Sequence, residues 1–359
     1  MNSNKITLVA IFTLLILLGG RYTAAQAQAP EWSATTSAAM AADQRGEYAQ
    51  AEASYKEAIE IQQQTLGADD PGVAISLNNL AVFYQDQSKY PEAEQTYLQA
   101  LAVLEKDSSQ ADSIGLTLNN LAALYHDEGM DAKAEPLYKR ALGIWESLGE
   151  NQSANEAVTV IGLAGVYHAL NQDAAAEPLY LRALKLWNEP GKPEGTEAAD
   201  ALFRLGEIYH ARSNNTEATS MYAHALAIWE NASQMDSPEA IAAQATLGEI
   251  YRAEGKYAEA EPLLERALKA TEQKLGQDHL SVAASLNNLA LLYYCEAKYD
   301  AAEPLYRRAL EIREKNLGAD DPAVQQTMQF YAALLRQVGR KAEARKLDAQ
   351  ASGAAIAHL

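Results

Sequence analysis

Apolar residues along this chain recur with a helical spacing inside a longer period of about 42 residues. In six consecutive segments a Leu is followed four residues later by a Tyr, which places both side chains on one face of a helix. These pairs are Leu80 and Tyr84, Leu121 and Tyr125, Leu163 and Tyr167, Leu205 and Tyr209, Leu247 and Tyr251, and Leu289 and Tyr293. A regular period of this length predicts a repeat architecture in place of one large core.

A second apolar face follows each Leu and Tyr pair. Nine residues after the Tyr stands an Ala, then an aromatic residue or Leu, then a further Ala, as in Ala134, Tyr138 and Ala141. Short polar turns such as DEGMD at 127–131 separate the two faces. The linker GADDPAV at 318–324 places Asp before Pro, which suits an N-cap followed by the first helical position. Each repeat is therefore predicted to be helix, turn, helix and linker.

The pattern weakens at both ends of the array. Ala38 and Ala42 take the Leu and Tyr positions of the first repeat, and Asp348 takes an aromatic position in the last. Because an unpaired buried charge is costly, Asp348 predicts the polar end of the array. We predict an array over 28–350, followed by a tail at 351–359. Its repeats lie near 32–73, 74–113, 114–156, 157–198, 199–240, 241–282, 283–323 and 324–350.

The order of Leu, Tyr, Ala, aromatic residue and Ala resembles the tetratricopeptide repeat pattern. The longer period, with LNNLA, then KYAEAEPLL at 256–264, then RALEIREKNLGADDPAV at 308–324, resembles the kinesin light chain subclass of these repeats. The resemblance covers about 32–350. It implies an all-α fold, a right-handed α-solenoid of about eight helix-turn-helix units. It also implies a concave surface, lined by the first helices, that binds segments of other proteins.

Three repeats carry an Asn pair directly before the Leu: Asn78 and Asn79, Asn119 and Asn120, and Asn287 and Asn288. Asn is a poor helix former, so the pairs need an explanation. Residues one and two before the Leu, and two and five after it, are predicted to face the concave side, where an amide can both donate and accept. In the family that the chain resembles, Asn at matching positions contacts peptide backbones, which implies the same role for these six. The alternative is that some of them bond across to the next repeat.

The central repeats lack the pair and offer Arg204, Glu207, Glu249 and Arg252 on the same face. Five residues after the Leu position, a line of further side chains continues through His126, His168, His210, Tyr294 and Arg336. A metal site shared by the three histidines is one interpretation. Equivalent helices pack about 8–10 Å apart, whereas each ligand nitrogen must lie about 2 Å from a shared metal. That geometry favours groove contacts over a metal site.

The net charge of the chain limits the kinds of ligand that it is expected to bind. The chain carries 29 Lys and Arg against 48 Asp and Glu, a net charge of −19. Such a surface repels nucleic acid and anionic membranes. Cys295 is the only cysteine in the sequence, and its place inside a helical pattern predicts a packed side chain.

Residues 1–27 have the layout of a secretory signal peptide, with Lys5, an apolar run over 6–18 and an A-x-A pattern ending at Ala27. The run is short for the roughly 20 residues that span a bilayer, which disfavours a retained anchor. Cleavage removes Lys5 and Arg21 but no acid, which leaves a net charge of −21. A periplasmic or secreted location is therefore expected, with no membrane attachment after cleavage.

No catalytic or metal-binding motif of a known type appears in the sequence. The array also occupies nearly all of the chain after the signal peptide. The prediction is a non-catalytic scaffold that binds a protein or peptide ligand and needs no cofactor. Two alternatives stay open: a structural module that self-assembles into a homo-oligomer, and a metal-dependent enzyme that uses His126, His168 and His210.

Overall fold

The computed structural model describes residues 31–149, 153–187 and 195–356. Over these residues the backbone forms sixteen α-helices and no β-strand, which confirms the all-α prediction. The predicted signal peptide lies outside the described residues. None of the described helices is both long enough and apolar enough to cross a membrane.

The helices alternate between a first and a second helix of each repeat. The first helices are α1 (Glu31–Gln44), α3 (Pro71–Asp86), α5 (Ala111–Asp127), α7 (Ser153–Ala169), α9 (Thr196–Ala211), α11 (Pro238–Ala253), α13 (Leu280–Cys295) and α15 (Pro322–Gln337). The second helices are α2 (Tyr48–Leu66), α4 (Tyr90–Leu104), α6 (Asp131–Leu148), α8 (Asp173–Trp187), α10 (Asn215–Asn231), α12 (Tyr257–Leu275), α14 (Tyr299–Leu317) and α16 (Lys341–Ile356). Each first helix packs most extensively against the second helix that follows it, as a helix-turn-helix repeat requires.

The chain divides into two compact parts, called here the N-terminal half (Met1–Lys192) and the C-terminal half (Pro193–Leu359). In the N-terminal half α3 contacts α5 and α5 contacts α7. In the C-terminal half α9, α11, α13 and α15 contact one another in the same succession. Among the described residues, no two second helices contact each other as extensively as these successive first helices do. The first helices therefore line the inner surface of each half.

Asp-Pro pairs begin two of the first helices. The Asp70 carboxylate accepts a hydrogen bond from the Gly72 amide at 2.8 Å, and Asp321 accepts one from the Ala323 amide at 2.8 Å. Each bond satisfies an amide that has no partner inside its own helix. Because Asp70 is the N-cap, α3 begins at the next residue, Pro71. This start lies three residues before the predicted repeat start at 74.

The predicted Leu, Tyr and Ala positions form the core of each repeat. Leu121 and Tyr138 are buried, and Ala134 and Ala141 are fully buried. The small side chains let the backbones of α5 and α6 approach closely, and the aromatic rings fill the space that remains. The two helical faces predicted from the spacing are confirmed.

Hydrogen bonds between tyrosine and glutamate join successive repeats. In each case a Tyr hydroxyl on a first helix donates to a Glu on the second helix of the preceding repeat. At one of these junctions Lys89 also donates to Glu52 at 2.7 Å and lies 5.5 Å from the centre of the Tyr84 ring. The bonds are Tyr84 to Glu52 (3.1 Å), Tyr125 to Glu94 (2.5 Å), Tyr167 to Glu135 (3.3 Å), Tyr293 to Glu265 (3.1 Å) and Tyr331 to Glu303 (2.9 Å).

The junction between α10 and α11 lacks this bond within the described part of the chain. Thr219 occupies the position that Glu52 and Glu303 hold in their own repeats, and its hydroxyl is buried without a partner. Gln244 on α11 also has a buried side-chain carbonyl oxygen without a partner. Unpaired buried polar atoms cost about 1–3 kcal/mol each. This junction therefore lacks a stabilising bond that the junctions with the tyrosine-glutamate contact have.

Thr219→Glu is expected to restore the missing bond by placing a carboxylate within reach of Tyr251. The free energy of unfolding of the C-terminal half should rise by about 0.5–1.5 kcal/mol, measured by denaturant unfolding of the full-length chain. In a Tyr251→Phe background the same substitution should give no such gain, because no hydroxyl remains to donate. An equal gain in both backgrounds would contradict this account of the junction.

The last helix extends into the segment predicted as a tail. α16 runs to Ile356, and its Ala351 is buried in a cluster with residues of α14 and α15. The tail prediction is therefore wrong for 351–356, which are helical, while 357–359 lie outside the described residues. Asp348 is half-exposed and forms an ion pair with Arg336. Its carboxylate is thus paired rather than buried alone, as expected for a polar end.

Candidate partner-binding surface

Five positions on each first helix lie on the side of the helix that faces the inner surface, although some of their side chains, such as Asn119, Asn287 and Phe203, are buried. Counted from the Leu of the repeat, they lie five, two and one residues before it and two and five residues after it, which is one stripe of a helix. The sequence analysis missed the position five before the Leu, although it lies one helical turn from a predicted position. In the N-terminal half it carries Ile75, Leu116 and Val158, of which Ile75 is 40% exposed.

The first Asn of two pairs is buried in the fold. Thr159 on α7 donates to Asn119 Oδ1 at 3.0 Å and accepts a bond from Trp145 Nε1 at 2.9 Å. On α13 the direction is reversed: Asn287 Nδ2 donates to Thr327 Oγ1 at 3.0 Å, and Asn287 Oδ1 is buried without a partner among the described residues. Both asparagines are 5% exposed. The prediction that they lie open to the concave side is therefore wrong, because the side-chain amide of each Asn forms a hydrogen bond with a Thr of the next repeat.

The remaining asparagines of the pairs differ from one another. Asn120 is buried and donates to Asn78 Oδ1 at 3.3 Å, and Asn288 donates to Glu249. Asn79 is half-buried, and the described part of the chain contains no hydrogen-bond partner for its amide. Asn79 is thus the amide of the six that the fold leaves most available. Contact of any of them with a partner stays a prediction.

The three histidines bind the turn of their own repeats. In each case Nδ1 of the imidazole lies within hydrogen-bond distance of the first residue of the following second helix. The pairs are His126 with Asp131 (2.5 Å), His168 with Asp173 (2.7 Å) and His210 with Asn215 (3.1 Å). The five-residue separation within each pair is visible in the sequence and could have revealed these contacts.

The metal interpretation of the histidines finds no cluster in the described ranges. Over those residues, no three His, Cys, Asp or Glu side chains come together in a way that could hold a metal ion. His126 and His168 are half-buried and His210 is exposed on the inner surface. Each imidazole is therefore held by a residue at the start of its own second helix, and the His210 side chain is exposed.

The same position makes other contacts in the C-terminal half. Tyr294 packs against Tyr299 across the turn, with ring centroids 5.7 Å apart. Arg336 is exposed and pairs with Asp348. The residue five positions after the Leu therefore contacts the second helix of its own repeat here too, although it is Tyr or Arg instead of His.

Arg252 and Cys295 meet at the end of α13. Arg252 Nη1 lies 4.0 Å from Cys295 Sγ, and the thiol is exposed. The predicted packing of Cys295 is therefore wrong. It is the last residue of α13, where the side chain has left the buried face of the helix.

Charged side chains on the inner surface of the C-terminal half are engaged by their neighbours. Arg204 Nη1 donates to Glu207 at 2.8 Å. Burial raises the pKa of Glu249, against the opposing effects of the Arg252 charge and the hydrogen bond from Asn288. Much of the charge predicted to face a partner is thus balanced within the surface itself.

Asp200 is a further inner-surface residue that the sequence analysis missed. It lies five residues before the Leu of its repeat, on the first helix α9. Burial and the nearby Glu239 raise the pKa of Asp200 to about 7. The charge of this surface therefore changes near neutral pH.

The inner surfaces of the two halves differ in charge. No Lys, Arg, Asp or Glu occupies any of the five positions on α3, α5 and α7. The equivalent positions of α9, α11, α13 and α15 include Asp200, Arg204, Glu207, Glu249, Arg252 and Arg336. The N-terminal half therefore offers amide, imidazole and apolar groups, and the C-terminal half offers paired charges.

Comparison with known protein families shows to which type of repeat the helix pairs belong. The family profile described as the tetratricopeptide repeat matches residues 32–106, 113–189, 197–273, 239–315 and 281–356. The chain belongs to the tetratricopeptide repeat family. This confirms the resemblance stated from the Leu, Tyr and Ala pattern. Among curated proteins, none is significantly similar in sequence to this tetratricopeptide repeat protein.

Solved structures share the tetratricopeptide repeat fold. BtubC (BKLC) from P. vanneervenii has a TM-score of 0.51 and 23% identity, covering 62% of this chain and 89% of its own. A signal transduction ATPase with a tetratricopeptide repeat sensor, from Pyrococcus horikoshii, has a TM-score of 0.62 and 15% identity, covering 86% and 44%. The apo form of RapI has a TM-score of 0.53 and 14% identity, covering 78% and 97%. A kinesin light chain protein with nearly identical TPR-like repeats, from Podosopora anserina, is also among the structural neighbours.

Proposed function

We propose that this tetratricopeptide repeat protein is a non-catalytic scaffold that binds an extended segment of a partner protein on an inner surface. The observation that supports this most directly is the Asn79 amide, half-buried on α3 without a partner among the described residues. An amide donates and accepts at once, which suits the N–H and C=O groups of an extended backbone. Stacked helix pairs supply a surface of the right kind for such a segment.

The N-terminal sequence supports a location outside the cytoplasm. Residues 1–27 have the layout of a secretory signal peptide, which supports a periplasmic or secreted protein. The partner is then a protein or peptide met outside the cytoplasm. A net charge of −19 argues against nucleic acid and anionic membranes as ligands.

Site-specific photo-cross-linking in the native compartment tests the proposed surface. A photoreactive amino acid at position 79 is expected to capture a protein, because this position lies on the inner surface. The same reagent at Leu98, a 48% exposed residue on the second helix α4, serves as the control. Products from 98 but none from 79 would contradict the proposal, and a product made of two copies of this chain would favour self-assembly.

Removing the Asn79 amide is expected to weaken binding of the cross-linked partner about threefold to tenfold, the worth of one or two ordinary hydrogen bonds. Asn231→Ala, which truncates an exposed Asn at the end of the second helix α10, is the matched control and should bind normally. Isothermal titration with the purified partner measures both. Equal affinities of the two variants would exclude Asn79 from the interface.

A further inference from the structure

We infer that the inner surface of the N-terminal half binds an extended segment that carries no charged residues and is rich in small apolar side chains. This inference rests on the proposed scaffold function and specifies the chemistry of its partner. The surface consists of the side chains at the five inner positions on α3, α5 and α7, except for Asn119 and Asn120, which are buried.

The first observation is the absence of charge at these positions. The whole chain carries a net charge of −19, yet none of the five positions on the three helices holds Lys, Arg, Asp or Glu. A charged side chain buried there would lose water, and the five positions themselves supply no opposite charge in return. An uncharged segment has no charge to remove from water, so this cost does not arise.

The second observation is apolar area that the fold leaves uncovered. Ile75 on α3 is 40% exposed. Leu116 on α5 and Val158 on α7 are half-buried and line one crevice together with Trp145. Val82 adds a half-buried side chain to the same surface. Covering these groups removes apolar surface from water, which drives the binding of an apolar segment.

The third observation is space for a partner side chain beside His126. Gly165 on α7 occupies the position two after the Leu, where α3 and α5 carry Val82 and Ala123. A Cβ added at Gly165 would meet only His126 within 4 Å, with Nε2 at 3.4 Å. The surface therefore has an open site next to a polar ring, and a small apolar side chain fits it.

Acidic groups border the surface and disfavour an acidic ligand. Asp86 and Asp127 are the last residues of α3 and α5, one position beyond the uncharged stripe. Gln85 Nε2 donates to Asp127 Oδ2 at 2.9 Å, and burial raises the pKa of Asp127. These carboxylates repel an acidic segment that approaches along the helices.

The length of the segment follows from the helix spacing. Neighbouring packed helices lie about 8–10 Å apart, so three first helices span about 20 Å. An extended chain advances about 3.3 Å per residue. The surface therefore accommodates about six residues.

Three labelled peptides test the charge preference with the full-length protein. The first has the core Ala-Val-Ser-Val-Ala-Val between Gly-Ser flanks, and the others carry two Asp or two Lys in place of two Val. We expect the uncharged peptide to bind about tenfold more tightly than either charged one. Its affinity should also change little between about 50 and 500 mM salt, because no ion pair is formed. Fluorescence anisotropy measures all three.

Matched variants locate the binding to the N-terminal half. Gly165→Leu fills the open site and Ile75→Asp adds a charge, and each is expected to weaken the uncharged peptide about tenfold. Ala333→Leu and Ala242→Asp make the same changes at the corresponding positions of the C-terminal half, and should leave binding unchanged. Circular dichroism establishes that all four variants remain folded.

The outcomes separate this inference from the scaffold proposal. A charged peptide that binds as tightly as the uncharged one overturns the inference, as does failure of all three peptides to bind. Equal loss of affinity in the C-terminal controls also overturns it. In each of these cases, specific cross-links from position 79 would still support the scaffold function.

Discussion

Thr159→Val is expected to lower the free energy of unfolding of the N-terminal half by roughly 2–5 kcal/mol. The Thr159 hydroxyl accepts from Trp145 Nε1 at 2.9 Å and donates to Asn119 Oδ1 at 3.0 Å. Val is close to Thr in size, so the packing is nearly kept while both bonds are lost. A buried indole N–H and a buried amide oxygen then remain unpaired, and each costs about 1–3 kcal/mol.

Thr117→Val is the matched control for that experiment. Thr117 is also a buried Thr on a first helix, but its hydroxyl donates only to the Ser113 carbonyl of its own helix, at 2.8 Å. Its loss should cost no more than about 1 kcal/mol. Denaturant unfolding of the full-length chain, followed by circular dichroism, compares the two variants. Equal destabilisation would show that the link between repeats contributes no more than a bond within one helix.

Gly162→Ala is expected to destabilise the N-terminal half by about 1–3 kcal/mol, the usual range for overpacking a filled core. A Cβ at this position would lie 2.5 Å from Cε1 of Tyr138, a ring that is itself buried. Neither the ring nor the α7 backbone can move away without disturbing the packing between repeats. The close approach of α7 to this ring therefore requires Gly.

Gly143→Ala supplies the opposite expectation on a neighbouring helix. Gly143 lies on the exposed face of α6, and an added Cβ would meet nothing within 4 Å. Ala there should stabilise the helix by about 0.5–1 kcal/mol, because Gly loses more backbone freedom on folding. The melting temperatures of the two variants should move in opposite directions. A shift of the same sign in both would contradict the packing assigned to Gly162.

The repeat fold was predictable because its signals are local and recur many times. The four-residue spacing of Leu121 and Tyr125 indicates one helical face, and the same spacing recurs in the other repeats. The cap at Asp70 and Pro71 was likewise visible in the sequence and is confirmed by its hydrogen bond to Gly72. Errors arose at the chain end, where Ala351 packs against helices that precede it in the sequence.

The absence of the Asn pair from the repeat that begins with α9 has a structural explanation. Phe203 takes the place of the first Asn, and its ring centroid lies 6.1 Å from that of Trp229. The following repeat carries Ala243 where α7 has Thr159. An apolar contact therefore replaces the hydrogen-bonded link, and an Asn beside Ala243 would have no hydroxyl to bond.

The Asn pairs also show what the sequence left undecided about the candidate surface. Asn78 and Asn79 are adjacent, and successive residues on a helix point about 100° apart, since a turn holds 3.6 residues. Whether a polar side chain on such a border faces a partner or the next repeat depends on residues about 40 positions away. For Asn119 that residue is Thr159, and for Asn287 it is Thr327.

The sequence by itself determined the helix pairs, their order and the apolar face of each helix, because a period of 3.6 residues needs no distant partner to be recognised. Only the tertiary structure decided which polar groups of the first helices the fold uses. Asn119 and Asn287 are bonded inside the array, and the histidines fasten turns. Asn79 and the uncharged face around it remain on the surface, because no neighbouring repeat supplies a group that covers them.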